Sequence, residues 1–272
     1  MDGCREKFKE FSDTLNAEIR GKGFKLDFAA RFVVVWTLLS RIPLPKGWWP
    51  RKAPAGNRAL AFAPLAGGLM GIINGFVVTA AFYLGAGALA SAWAAAAVYF
   101  LAGWCLHLDG WGDLWDGIGS GRSGNALREV MKDSRLGSFG GASLVIAFGL
   151  WTSLLSSVAP EARFAACVTS AAAARFAEDC AAFLGEYPWE AGMGKGWVDT
   201  FSPYDLFTSA LCLVPFLIFS IFHFALCAAL SALSGFAFAR WMNGRLGGVN
   251  GDVMGAAAVA AEIISMAVWA VW

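Results

Sequence analysis

Residues 60–84 read Leu-Ala-Phe-Ala-Pro-Leu-Ala-Gly-Gly-Leu-Met-Gly-Ile-Ile-Asn-Gly-Phe-Val-Val-Thr-Ala-Ala-Phe-Tyr-Leu, 25 residues without one charge. A helix needs about 17–25 apolar residues to cross a bilayer, and inside lipid a helix satisfies its own backbone polar groups. Further apolar runs occupy 87–106, 140–159, 162–184 and 253–271. The stretch 206–240 would be about 51 Å long as one helix, so it divides into two short spans turning near Ser220–His223. The expected fold is all-α: a polytopic membrane helix bundle of about seven full transmembrane spans. Phe32–Ser40, between Arg31 and Arg41, is too short to cross. It reads as a membrane-dipping segment that returns at Ile42-Pro43-Leu44-Pro45. Residues 28–272 then form a single integral-membrane domain. Residues 1–27 form a polar or amphipathic extension in which Phe8, Phe11, Leu15 and Ile19 recur at helical spacing. That extension is charged throughout and lacks the apolar core of a cleavable signal.

Composition supports this class. Hydrophobic residues make up 58% of the 272 and charged residues 15%, with mean hydropathy +0.57; a soluble domain carries about 25% charge. The balance of 21 basic against 20 acidic residues offers no excess for nucleic acid. Two histidines exclude a histidine-rich metal centre. Six cysteines without a C-x-x-C pair, most of them in apolar runs, read as small buried hydrophobes. Five Lys/Arg in 41–58 and four in 107–139 place those segments on the cytoplasmic side. Lys195, Arg240 and Arg245 join them if the spans alternate, and the opposite loops carry only Arg163. Three glycine-rich segments, 107–141, 185–204 and 244–256, therefore share the cytoplasmic face.

The first holds His107-Leu-Asp-Gly-Trp-Gly-Asp-Leu-Trp-Asp-Gly117. Asp109, Asp113 and Asp116 are spaced i, i+4, i+7 and fall within an arc of roughly 60° on a helix. Like charges crowded beside lipid repel and resist desolvation, so a cation is expected among them. Mg²⁺, or Mn²⁺, held by hard oxygens together with substrate phosphates fits best. The bland reading is an acidic, flexible loop end. His107 is either an acid/base, a substrate contact or a merely hydrogen-bonded interface histidine. Downstream lie a short amphipathic stretch, Ala126–Lys132, and Asp133-Ser134-Arg135-Leu-Gly137. Asp133 suits a further metal ligand or a sugar hydroxyl, and Arg135 suits a bidentate phosphate contact. Alone, that triplet is an ordinary solvated turn.

The second segment, Tyr187-Pro-Trp-Glu-Ala-Gly192-Met-Gly194-Lys195-Gly196, is by itself a glycine-rich turn. Before it, Arg175 lies inside a span with Glu178 and Asp179 at i+3 and i+4, as a mutually neutralised set or a substrate contact. The third, Gly247-Gly248-Val-Asn250-Gly251-Asp252, opens the last span. Asp252 stands where a helix N-cap would, and the same helix start favours phosphate beside an Asp-bound metal. Glu262 lies about 15 Å deeper and some 80° round, so it reads as a partner for a buried cation such as Arg175.

In this order the segments resemble the cobalamin synthase (adenosylcobinamide-GDP ribazoletransferase) family from about residue 31 to the C-terminus. The resemblance rests on Arg41-Ile-Pro-Leu-Pro45, Pro64-Leu-Ala-Gly-Gly-Leu-Met-Gly71 and His107-Leu-Asp-Gly-x-x-Asp-x-x-Asp-Gly117. Met131-Lys-Asp-Ser-Arg-Leu-Gly137, Arg175, Tyr187 with Gly192-Met-Gly194, and Leu246-Gly-Gly-x-x-Gly-Asp-x-x-Gly-Ala256 with Glu262 complete it. Asn250 replaces the family's usual threonine, Trp104 a glycine, Trp151 a lysine, Trp189 an arginine and Val259 a glutamate. The resemblance implies Mg²⁺-dependent joining of adenosylcobinamide-GDP to α-ribazole or its 5′-phosphate, with release of GMP, in a bacterial or archaeal cytoplasmic membrane. Asp109, Asp113, Asp116 and Asp252 would hold the metal, with an aspartate or His107 as base. Asp133, Ser134, Arg135, Gly137, Arg175, Gly248, Asn250 and Gly251 would contact substrate. A homo-oligomer, or association with other corrinoid-pathway enzymes, is compatible with it.

Two other classes compete. A CDP-alcohol phosphotransferase needs an Ala-Arg pair two residues after its first Asp-Gly, and here Trp111-Gly112 leads directly to Asp113. A cation transporter places its ligands near the midplane on repeated broken helices; these carboxylates sit at span ends, and the sequence contains no internal repeat.

Overall fold

A computed structural model of the chain describes residues 24–49, 55–192 and 194–272. Most of the 1–27 extension, with its Phe8–Ile19 pattern, lies outside the described residues. All regular structure among the described residues is helical. The long helices are α1 (Phe24–Leu39), α2 (Ala63–Tyr83), α3 (Ala88–Ala102), α4 (Leu106–Gly119), α5 (Gly124–Met131), α6 (Ser138–Ser157) and α7 (Arg163–Leu184). The one-turn α8 (Lys195–Val198), α9 (Pro203–Leu213), α10 (Ile221–Arg245) and α11 (Gly251–Val271) follow.

At the centre stands α7, buried along nearly its whole length and packed by α2, α10 and α11. Its alanines let neighbouring backbones come close, which is how helices associate where no hydrophobic effect drives them. The glycine stripe Gly67, Gly71 and Gly75 of α2 lies against α7: a Cβ at Gly71 would meet the Cys167 carbonyl at 2.6 Å, and one at Gly75 the Phe164 ring at 2.8 Å. The pairing makes α2 and α7 antiparallel. At the bundle end away from the glycine-rich segments, Arg163 lies over the Phe82 ring at 4.5 Å and donates to the Val158 and Ser156 carbonyls. Phe222 and Trp272 meet there as well.

Seven full crossings were expected, and four helices are long and apolar enough to cross by length and composition: Arg58–Tyr83, α6, α10 and α11. The 87–106 run breaks, because α3 and α4 meet at 90°, and the pair counts as a fifth span only if taken together. α7 has the length but carries Arg163, Arg175, Glu178 and Asp179, tolerated because they face protein rather than lipid. The 206–240 stretch does turn where expected, with Ser220 capping α10 at His223. Its first half, Pro203–Ile218, is short. The outer surface is strongly apolar, with Val145, Ile146, Ile218 and Leu233 all exposed, as lipid contact requires. The chain is thus a membrane-type helical bundle.

The α3–α4 corner is built on two left-handed residues, Trp104 (φ 62°) and Cys105 (φ 54°), each costing about 1–2 kcal/mol for a residue with a Cβ. The Arg41 N–H bonds the Ala102 carbonyl at 2.7 Å and its guanidinium lies 4.6 Å over the Trp104 ring, holding the corner. Arg41 is in place because α1 ends at Leu39 and Trp36 Nε1 donates to the Ile42 carbonyl at 2.8 Å, pinning the proline segment.

Candidate active site

The corner re-aims the chain so that α4 runs antiparallel to both α6 and α11. Gly110 is the point of closest approach to α11, where a Cβ would lie 2.8 Å from the Cα of Asp252. Only a glycine lets the two backbones come this near. The consequence is electrostatic: Asp113 is repelled by Asp252 as well as by Asp109 and Asp116. The i, i+4, i+7 face of α4 and the first turn of α11 thus form one acidic cleft. Asp109 is exposed, and Asp113 and Asp252 are half-buried.

The expected N-cap at Asp252 is corrected. Asn250 caps α11, its Oδ1 accepting the Val253 N–H at 3.1 Å, while its Nδ2 donates to Asp252 Oδ2 at 2.7 Å. Asp252 is therefore held by Asn250 rather than spent on the helix end. Asp116 has the opposite fate. Each of its oxygens accepts a backbone N–H at 2.7 Å, from Gly137 and Gly140, so it ties α4 to the first turn of α6. No side chain could replace either glycine without striking that carboxylate.

Among the described residues no group of three or more His, Cys, Asp or Glu side chains forms a preassembled metal cage. The donor set still suits Mg²⁺, which is bound through one or two carboxylates plus substrate phosphates rather than by an all-protein shell. Asp109, Asp113 and Asp252 supply hard oxygens on facing helices, and their mutual repulsion is what a divalent cation relieves.

His107 departs from the acid/base expectation. It is buried, its Nε2 lies 2.6 Å from Glu178 Oε1, and it faces α7 rather than the aspartates. Arg175 also points inward: it pairs with Glu178 at 3.1 Å and reaches the Tyr99 hydroxyl at 3.4 Å. Glu262 accepts from that hydroxyl and from Trp151 Nε1, at 3.3 and 3.2 Å. Glu262 is thus linked to Arg175 through Tyr99, and Trp151 supplies a neutral donor. The network borders a cavity of about 20 Å³, room for a water molecule or two. It braces α3, α4, α6, α7 and α11 beneath the cleft.

The other segments close round the mouth. Val249 donates to the Glu186 carbonyl at 2.8 Å, and a Cβ at Gly248 would collide with the same carbonyl. Gly248 is thereby a packing residue, whereas Gly251 has open space beside it. Tyr187 donates its N–H to Asp199, which also accepts from Lys195 at 2.7 Å; that pairing holds the Asp199 carboxyl below its usual range. Burial and the facing Asp252 raise the Tyr187 phenol, opposed by Arg128 and Lys195. Asp133 and Arg135 pair with each other at 2.6 Å in the α5–α6 loop, and the guanidinium holds the carboxyl at about 2. Arg135 is 87% exposed there, and Ser134 is exposed beside it. Arg128, Lys132, Tyr187 and Trp189, present in the segments read above but given no site role there, form the rim opposite. Arg128 and Lys132, spaced i, i+4 on a short amphipathic helix, were the available signal.

A profile of the cobalamin-5-phosphate synthase family matches residues 31–270. Over 256 residues the chain is 30% identical to the adenosylcobinamide-GDP ribazoletransferase of Fusobacterium nucleatum, covering 83% of this chain and 91% of that one. The protein of the same name from Shewanella piezotolerans is 30% identical over 245 residues, covering 86% and 92%. That of Rhizobium meliloti is 37% identical over 122 residues, 45% of this chain and 47% of that one. No solved structure matches the chain.

Proposed function

The chain belongs to the cobalamin-5-phosphate synthase family, and from that premise we propose that the α4–α11 cleft carries the ribazoletransferase reaction. The adenosylcobinamide phosphoryl group of adenosylcobinamide-GDP passes to α-ribazole or its 5′-phosphate, and GMP leaves. The observation that carries this reading is the approach of Gly110 to Asp252, which adds a fourth carboxylate to the aspartate face of α4.

Asp109, Asp113 and Asp252 would hold Mg²⁺ or Mn²⁺. Bound there with the diphosphate, the metal supplies the charge neutralisation on which phosphoryl transfer chiefly depends. Asp116 keeps the first turn of α6 in register with the cleft. Asp109, the exposed carboxylate, would take the proton from the acceptor hydroxyl through whichever oxygen the metal leaves free. Arg135 exchanges Asp133 for a phosphate oxygen. His107 and Arg175 act from below as positioning residues.

We place the cleft at the cytoplasmic face of the inner membrane, with α1 dipping into the bilayer. Seven crossings follow if the bent α3–α4 pair, the charged but enclosed α7 and Pro203–Ile218 are added to the four long apolar helices. In support, α7 is as long as the helices around it, and the Ser220 turn lies at the end opposite the cleft.

The test is direct. Purified protein with adenosylcobinamide-GDP, α-ribazole and Mg²⁺ should release GMP in step with corrinoid product. Release of CMP from a CDP-alcohol, or no product from any nucleotide, would overturn the reading.

A further inference from the structure

At the mouth of the cleft sit two cations, Arg128 and Lys132, without acidic partners among the described residues. α5 buries Leu127 and Met131 beneath Gly117 of α4, which turns Arg128 and Lys132, also i, i+4, toward the 187–195 loop. The Arg128 guanidinium lies 4.3 Å over the Trp189 ring and the Lys132 ammonium 5.8 Å from it. Trp189 meets Tyr187 edge to face at 5.5 Å. Among the described residues Arg128 Nε is buried without a hydrogen-bond partner, and neither Arg128 nor Lys132 has a carboxylate within ion-pair distance. Lys195 is different, since Asp199 neutralises it.

This wall faces the acidic cleft across Tyr187. Four carboxylates repel any phosphate not covered by a cation, so a phosphorylated ligand needs positive charge on its flank. Arg128 and Lys132 provide it, beside two aromatic rings. Rings with an adjoining guanidinium are the usual means of gripping a heterocyclic base that carries phosphate. We propose that Arg128, Lys132, Tyr187 and Trp189 form a nucleotide subsite, the rings against the base and the two cations on its phosphate. The proposal rests on the reaction above, in which two species share this chemistry: the GMP half of the donor and α-ribazole 5′-phosphate.

Equilibrium binding of GMP, guanosine, α-ribazole 5′-phosphate and α-ribazole to the full-length protein in detergent with Mg²⁺ tests it. Arg128→Gln should lower the preference for phosphorylated over unphosphorylated ligand about tenfold in one of the two pairs. Lys132→Gln, on an exposed residue, should do the same to a smaller degree at an unchanged unfolding temperature. Trp189→Leu should weaken both members of that pair alike, about tenfold. A shift in the guanosine pair places the donor here, and a shift in the α-ribazole pair places the acceptor. Unchanged preference in both pairs for Arg128→Gln and Lys132→Gln overturns the subsite and leaves Arg128 a strut docking α5 on the loop. If Arg128→Gln fails to fold, Lys132→Gln decides. Failure of the reaction itself reads differently, as absence of corrinoid product from the unsubstituted protein, because these ratios need no turnover.

Discussion

Asp113 is repelled by three other carboxylates, and Asp116 is engaged by two backbone N–H groups, so neighbouring residues of one motif should fail in different ways. Asp113→Ala is expected to reduce turnover by about 100-fold or more, since it removes a centre of charge stabilisation. It also relieves repulsion, so thermal stability without metal should hold or rise. Near-normal rates at limiting Mg²⁺ would remove Asp113 from the metal set. Asp116→Asn instead leaves one oxygen to accept two N–H groups. A loss of about 1 kcal/mol of stability is expected, metal or no metal, as for a helix-cap substitution; unchanged thermal unfolding would refute the anchoring role. The same scale bears on mechanism. Cys167, Cys180, Cys212 and Cys227 are buried, Cys105 is half-buried at the α3–α4 corner with no base hydrogen-bonded to its thiol among the described residues, and His107 is bound to Glu178. Direct in-line transfer is therefore expected, without a phosphorylated enzyme. Labelled adenosylcobinamide-GDP and Mg²⁺ without ribazole should leave the protein unlabelled; stoichiometric GMP release with label retained would defeat that mechanism.

Helix pairs, more than single side chains, set the cleft's width. Gly110→Ala would press a methyl onto the Asp252 backbone, and backbone cannot step aside as a flexible side chain does. It should separate α4 from α11, at a cost of about 1–3 kcal/mol, and abolish activity. Gly149→Ala in α6 is the matched comparison. Nothing lies within 4 Å of its added Cβ, so it should be neutral or stabilise by up to about 1 kcal/mol with activity intact. Thermal unfolding and turnover of the two variants side by side check the pair. Equal losses would mean that the α4–α11 approach has no special role.

At the scale of the whole molecule, the cleft segments meet at one end of the bundle, and Glu161, beside Arg163, lies at the other. In a cysteine-free background, single cysteines at Ser123, Trp197 and Arg245 should be protected from an impermeant thiol reagent in intact cells. One at Glu161 should react. Labelling at Ser123 would overturn the cytoplasmic placement.

Much of this was legible in the chain itself. Apolar length specifies helices in lipid because an unsatisfied peptide group there is so costly, so the runs at 60–84, 140–159 and 253–271 announce themselves. The i, i+4, i+7 aspartates define a face by helix geometry alone, whereas Glu262, read as a partner for a buried cation, accepts instead from Tyr99 and Trp151 and reaches Arg175 only through the Tyr99 hydroxyl. Periodicity says nothing about which helix packs on which, and the rest depended on that. Whether 87–106 continued straight was settled by two left-handed residues and Arg41, which lies more than 60 positions away. Asn250 rather than Asp252 caps α11 because the helix begins at Gly251, which leaves Asp252 in its first turn, where its backbone meets Gly110 of α4. Asp116 was indistinguishable from Asp113 until Gly137 and Gly140 were brought to it from the next helix. Local pattern determined the elements and their polar faces. Only close backbone approach between elements distant in sequence decided which carboxylates stayed open to a ligand and which became struts.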